Sequence, residues 1–348
     1  MPQHKITQKS IAQKLGLTQA AVSLALRGDA SIPEATRKKV SKMAKKLGYV
    51  PDPYLTGLSA YRHRNKPTPV KAALAWLSND AAGESWKRSP AFVQYHTGAL
   101  RRAQELGYHL EDHALQAQGV NMKNIERVLL ARGVNGILLA PQPAPNMSID
   151  FTFTKFSAVT FGYTLCSPQL HVVTLHQFRA MEKLLRKLTG FGYQRIGLAL
   201  SSESDGRADY HWSAAFWRKQ QHFPAKQQVP LHLPQQMEKE GFLKWYAQHR
   251  PEVVVTIHPE VYDWLHQDGI AIPEDLGFTL LTVPDDQRQF SGIWENPALI
   301  GAKAVDILVE MIHRGETGIP EVPIYHLIDG NWLDGETVKN KTRRVKPC

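Results

Sequence analysis

From Val70 onward the chain alternates short apolar runs with stretches of helical periodicity, and that alternation is the tightest constraint on its fold. "VKAALAWLS" reads as a strand and "AFVQYHTGALRRAQELG" as a helix. "YHLEDHAL", helix "MKNIERVLLARG" and strands "VNGILLAPQ" and "SAVTFGY" complete one wound half. A second series repeats the scheme with helix "FRAMEKLLRKLTGFG", strand "RIGLALSS", helices "DYHWSAAFWRKQ" and "GFLKWYAQH", strand "EVVVTIH", helix "PEVYDWLHQDG" and strand "GFTLLTV". Strands separated by helical segments predict doubly wound parallel sheets with right-handed crossovers. Two such series predict an α/β body of two lobes.

Charge is distributed unevenly along the 348 residues. The formal net charge is +10. Residues 1–66 hold 13 Lys and Arg against 3 Asp and Glu, residues 67–336 hold 24 against 29, and the stretch from Thr337 holds 5 against none. A basic head on a slightly acidic body is the electrostatic footprint of a polyanion partner. No apolar run approaches the ~18–20 residues that span a bilayer, and the basic start "MPQHKITQKS" has no apolar segment of an export signal behind it. Cys166 and Cys348 make neither a disulfide framework nor a metal-ligand pattern. A cytoplasmic protein with no cofactor, no metal and no membrane partner is expected.

Within the basic head, Thr7 is placed to cap a helix carrying Ile11, Ala12 and Leu15 on one face, with Gly16 as its stop. Thr18 then caps "QAAVSLALR", in which Val22 and Leu26 recur at i, i+4 and are expected to face inward. Two short helices joined by a tight glycine turn are a helix-turn-helix. A third helix runs through "SIPEATRKKVSKMAKKLG", with a capping box from Ser31 and Glu34 and a stop at Gly48. The second helix leaves Gln19, Ala20, Ser23, Leu24 and Arg27 on its outer side. A helix entering the major groove has to be slim near its N-terminus, where it meets base edges. Gln19 can pair with adenine in bidentate fashion, and Ala20 can touch a thymine methyl. Asp52-Pro53 is a good start for a short helix, residues 53–61, which is marginal alone in water and so a candidate switch, although a plain connector satisfies the same pattern.

The stretch "KITQKSIAQKLGLTQAAVSLALRGD…IPEATRKKVSKMAKKLGYVPDPYLTGLSA" resembles the DNA-binding head of the lactose-repressor (LacI/GalR) family. That resemblance implies that the second helix reads an operator through Gln19 and Ala20, with Leu24 at the next reader position, where a polar residue is common in the family. It implies hydroxyls near phosphates at Thr18, Ser23 and Thr36, and a hinge helix whose Leu58 wedges into the minor groove; by their own chemistry Ser23 and Arg27 suit a base or a phosphate. It also implies a periplasmic-binding-protein-like body crossed three times by the chain, with later crossings near Ser291 and Pro320. The expected domains are 1–50 for the helix-turn-helix head and 51–69 for hinge and linker. Residues 70–164 and 292–322 are expected in the N-terminal lobe, 165–291 and 323–337 in the C-terminal lobe, and 338–348 in a basic tail.

Open parallel sheets bind ligands beyond the carboxyl ends of their strands. Those ends carry Ser78, Asn79, Gln142, Tyr163, Ser201, Ser202, His258 and Thr282, with Trp76, Trp86, Tyr210, Trp212 and Trp264 near enough to supply flat walls. Amide, hydroxyl and aromatic groups with few fixed charges suit a sugar, and Asn79, Tyr163, Arg207, His258 and Thr282 are the candidate effector residues. Arg207 best matches the family's ligand-gripping arginine. His258 stands for an asparagine, Thr282 for an aspartate and His176-Gln177 for an Asp-Asn pair. An enzyme is not expected: "GFG" at Gly190–Gly192 precedes a strand instead of following one, and neither a P-loop, a His-Glu-x-x-His nor a Gly-x-Ser-x-Gly motif occurs. The expected function is a sequence-specific transcription regulator, acting as a repressor. It would bind a pseudo-palindromic double-stranded operator as a homodimer and answer to a sugar effector. A solute-binding protein of the same fold, or an α/β enzyme, are the rival readings.

Overall fold

The computed structural model describes residues 7–26, 32–47, 49, 72–116 and 122–342. The head contains helices Gln8–Leu15, Gln19–Leu26 and Glu34–Leu47. Thr7 caps the first through both halves of a capping box with Ser10. Gly16, at φ 66°, turns the chain in the left-handed region that a side chain would disfavour. Thr18 Oγ1 accepts the Ala21 N–H at 3.1 Å and starts the second helix. Ile11, Ala12, Val22, Ala25, Val40 and Ala44 form the buried centre. Leu26, expected inward with Val22, is half-buried at the rim, because Ala25 takes the inner place. The capping serine Ser31, Gly48, Arg27, the 53–61 segment with Leu58, and the last six residues lie outside the described residues.

The first strands of the body are β1 (Ala72–Ser78), β2 (Tyr108–Ala114), β3 (Val134–Leu139), β4 (Met147–Ser148), β5 (Ser157–Phe161), β6 (Leu165–Ser167) and β7 (His171–Leu175). The others are β8 (Ile196–Ala199), β9 (Val253–Thr256), β10 (Gly277–Leu280), β11 (Ser291–Trp294), β12 (Tyr325–Ile328) and β13 (Asn331–Leu333). Six build one sheet in the order β12-β7-β5-β3-β1-β2, and five build the other in the order β13-β11-β10-β9-β8. Every pairing in the first sheet is parallel; in the second only β11 with β13 is antiparallel. Helices cover both faces of such sheets, which is why β1, β5, β8 and β9 are nearly unbroken apolar runs. No helix among the described residues is long and apolar enough to cross a membrane.

The sheets place the lobe boundaries differently from the sequence expectation. β7 and β12 belong to the first sheet and β11 to the second. The chain therefore changes lobe at about residues 176, 295–296 and 329–330, and not at 164, 291 and 322. β7 is only five residues long and opens on a polar histidine, while β12 is a four-residue edge strand with exposed Tyr325 and Leu327. Neither carries the long apolar run that marks a central strand.

In the N-terminal lobe, helices Pro90–Glu105 and Pro297–Arg314 cross in close contact. Gly98 lies against the Ala298 carbonyl and Gly301 against the Tyr95 carbonyl, so close that a Cβ at either position would overlap backbone. The contact holds Tyr95 beside the second lobe crossing, where Glu295 sits.

Candidate functional site

Two places in the molecule gather the residues that the sequence singles out. In the head, Thr18, Gln19 and Ala20 are exposed together at the start of helix Gln19–Leu26, while Ser23, Leu24 and Thr36 are half-buried. Two small or flexible side chains at an exposed helix N-terminus give the slender profile that groove entry requires. The third helix adds Lys38, Lys39, Lys42, Lys45 and Lys46, all exposed, with Lys38 paired to Glu34 at 2.8 Å.

In the body, the carboxyl ends of both sheets open onto one cleft of about 450 Å³. From the N-terminal lobe it is lined by Ser85, Trp86, Ser89, Phe92 and Tyr95 after β1, Gln142 after β3, Thr164 after β5 and Gln177 after β7. The C-terminal lobe adds Ser204, Arg207 and Trp212 after β8, His258 after β9, Thr282 after β10 and Glu295 after β11. Each sheet thus delivers its loops to the same gap, as open α/β sheets do.

Arg207, His258 and Thr282 line the cleft as expected, but Asn79 and Tyr163 do not. Asn79 is buried behind the wall, where its Nδ2 donates to Gln142 Oε1 at 2.9 Å and its Oδ1 accepts from Gln116 at 2.9 Å. It orients Gln142, whose own Nε2 is held by the Ala140 carbonyl at 2.8 Å. Tyr163 turns away from the gap between Gly162 and Thr164, which do line it. Its ring stacks on Tyr325 at 5.8 Å and meets His211 edge-on at 4.9 Å. Burial, with Tyr325 and Asp209 nearby, pushes its phenol up to about 12. Of the five expected aromatic walls, Trp86 and Trp212 line the cleft. Trp76 is wholly buried in the core, Tyr210 is exposed elsewhere, and Trp264 packs with Phe242.

Arg207 and His258, which line the cleft together with Arg88, are already engaged by protein. Arg207 reaches from the C-terminal lobe to the other, its Nη2 donating to the Gln142 carbonyl and its Nη1 to the Pro143 carbonyl, each at 3.0 Å. Its guanidinium also lies over the Phe92 ring at 5.6 Å. Burial lowers its pKa, partly offset by Glu203. His258 Nε2 accepts the Ser201 N–H at 3.2 Å, which leaves the ring proton on Nδ1 to face Glu260 at 3.2 Å. That bond draws the Glu260 carboxyl below its usual range.

Sequence reasoning missed Glu295. It is 7% exposed, lines the cleft, and receives the Tyr95 hydroxyl at 3.4 Å. Burial raises its carboxyl to about 7, opposed by the Tyr95 bond and reinforced by Asp285. No local signal in the run "SGIWENP" marks it, because the bond it receives comes from Tyr95, far away in the chain.

Residues 7–52 match the family described as "Bacterial regulatory proteins, lacI family". Among solved structures, the chain is similar to a complex of the transcriptional regulator CelR with cellobiose, at 14% identity and a TM-score of 0.54, over 95% of this chain and 99% of that one. It is similar to the lac repressor dimer bound to operator and the anti-inducer ONPF, at 14% identity and 0.52, over 96% and 99%. A third is the LacI family regulator CCPA from Weissella paramesenteroides with bound glucose, at 13% identity and 0.53, over 78% and 99%. None of the curated proteins matches the sequence. Such identities establish the fold of the body and no more, whereas the head is matched as sequence. The segment from residue 7 to residue 52 is therefore a head of the lacI family of bacterial regulatory proteins, carried on a two-lobed body with the fold of LacI-family transcriptional regulators.

Proposed function

We propose that the chain is a sequence-specific transcription regulator, acting as a repressor, whose operator affinity is set by a sugar held in the cleft. The observation that carries the reading is the exposed Gln19-Ala20 pair at the start of the second helix of a lacI-type head. Gln19 reads an adenine and Ala20 a thymine methyl. Thr18 and Thr36 contact phosphates and fix register without reading sequence, and Ser23 and Arg27 meet a base or a phosphate. Leu24 packs on a base edge, and Leu58 wedges the minor groove. A homodimer built through the body places two heads on the half-sites of a pseudo-palindrome. A sugar fits a cleft walled by Trp86, Phe92 and Trp212 with amide and hydroxyl groups between them, and proteins of like fold hold cellobiose and glucose. Its binding shifts one lobe on the other through the three crossings and changes the spacing of the hinges. A coupling of ~1–3 kcal/mol is enough to alter operator occupancy.

The test is enrichment of genomic fragments by the full-length protein against random competitor at moderate ionic strength, with and without sugars. A pseudo-palindromic site is expected. Gln19→Ala is expected to relax preference at one base per half-site by ~1–3 kcal/mol while leaving phosphate-driven binding in place. Absence of any preferred fragment, or unchanged discrimination in Gln19→Ala, overturns the reading.

A further inference from the structure

The cleft floor is supplied with acceptors that the protein itself leaves unmatched. Glu295 has, among the described residues, only the long Tyr95 bond for its buried carboxyl. Gln177 donates Nε2 to Thr174 Oγ1 at 3.2 Å, but its Oε1 is buried without a partner. The two residues stand at successive lobe crossings, residues 176–177 and 295–296, and both line the cleft. The groups expected to grip a ligand do not complement them: Arg207 is spent on two backbone carbonyls and Phe92, and His258 on Ser201 and Glu260. A buried acceptor without a donor is costly, and a ligand that brings O–H groups to it recovers that cost on binding.

We propose that Glu295 and Gln177 form the acceptor subsite that selects the effector, with the ionised Glu295 carboxylate taking two hydroxyl protons of a neutral sugar and Gln177 Oε1 a third. The carboxylate that the family resemblance places at residue 282 is thereby supplied from the neighbouring crossing. Because ionisation is required, binding is linked to protons: affinity falls as acid neutralises Glu295. The groups facing it are Tyr95 from the Pro90–Glu105 helix and Asp285 from the segment after β10; Arg88, Glu203, Arg207 and His258 also line the cleft. Because these groups share the cleft, the pH signature has to be read against a Glu295 variant.

The inference rests on the sugar-effector reading, and the experiment separates the two. Wild type, Glu295→Gln and Gln177→Leu are titrated at pH 5.5, 7 and 8.5 with a panel of neutral mono- and disaccharides that includes glucose and cellobiose, following the fluorescence of Trp86 and Trp212. Wild type is expected to bind a panel member at least ~10-fold more weakly at pH 5.5 than at pH 8.5. Glu295→Gln should bind weakly at all three pH values without that slope, and Gln177→Leu should weaken binding while keeping the slope. Binding with the same affinity and pH profile in wild type and Glu295→Gln overturns the proposal and leaves the sugar reading standing. No binding by any panel member in the folded wild type overturns the sugar reading and the proposal with it.

Discussion

The head and the cleft are built by opposite rules. In the head, every cap and turn is made between residues three to five apart: Thr7 with Ser10, Gly16 with Ala12, Thr18 with Ala21. Its core lies within one short stretch, from Ile11 to Ala44. The cleft draws its lining from segments between Ser85 and Glu295, and its key contacts join residues far apart, such as Tyr95 with Glu295 and Arg207 with Gln142. Local rules suffice where partners are local. Where a side chain's role depends on what another strand end brings opposite it, residue type alone does not settle that role.

The sharpest way to break the comparison is to ask whether a cleft residue behaves as the fold, and not the sequence, dictates. Burial raises the Glu295 carboxyl from 4.5 to about 7. An acid whose folded pKa exceeds its unfolded value keeps its proton more tightly in the native state, so native stability falls as pH rises between those two values and is level above the higher one. The gap corresponds to about 3 kcal/mol. Denaturant unfolding of wild type and Glu295→Gln at pH 4.5 and pH 8 is expected to show the variant gaining on wild type by roughly that amount at the higher pH. A pH-independent difference would mean that Glu295 is solvated, and the cleft floor would lose its distinctive chemistry.

The next effect comes from the helix crossing that holds Tyr95. Gly301→Ala puts a Cβ onto the Tyr95 carbonyl. Overpacking of this kind costs ~1–3 kcal/mol, and denaturant midpoints at unchanged slope would measure it. Gly190→Ala is the control: it ends a helix and has no neighbour within 4 Å of an added Cβ. It is expected to be neutral or slightly stabilising. Equal losses in the two variants would show that helix geometry, and not the crossing, is responsible.

These two cases also mark what was legible in the sequence. The α/β alternation located the central strands, since a strand buried on both faces has to be apolar throughout. The β12 edge and its inner neighbour β7 were not legible. β12 exposes Tyr325 and Leu327, and β7 begins at His171, whose ring is satisfied by Glu316 and the Ile324 N–H. Missing those strands displaced the first and third lobe crossings, and β11, which joins the second sheet, displaced the other. In the cleft, His258 and Thr282 were found because they stand just past strand ends, and Arg207 because it matches the family's ligand-gripping arginine. Asn79 also stands at a strand end, but its amide is consumed by Gln142 and Gln116. Glu295 was passed over because its burial depends on Tyr95, 200 residues earlier in the chain.

The smallest effect tests the other side of the comparison, that the head is determined by its own residues. Thr18 Oγ1 accepts the Ala21 N–H at 3.1 Å, one of the free donors at the start of the second helix. The hydroxyl retains its own proton, so the same atom can cap the helix and donate to a phosphate. Thr18→Ala removes both functions. Loss of the cap should cost ~1 kcal/mol of local stability, read as faster amide exchange in the head. Amides of the two sheets and sugar affinity in the cleft should be unchanged, because among the described residues the head's buried cluster contains none beyond Tyr49. Thr18→Ser restores cap and donor together and should recover both exchange protection and operator affinity. If protection returns in Thr18→Ser while operator affinity does not, the threonine methyl matters to DNA and the hydroxyl's second function is refuted. If exchange in the sheets rises with Thr18→Ala, the head is stabilised by the body, and its legibility would owe less to local chemistry than its caps suggest.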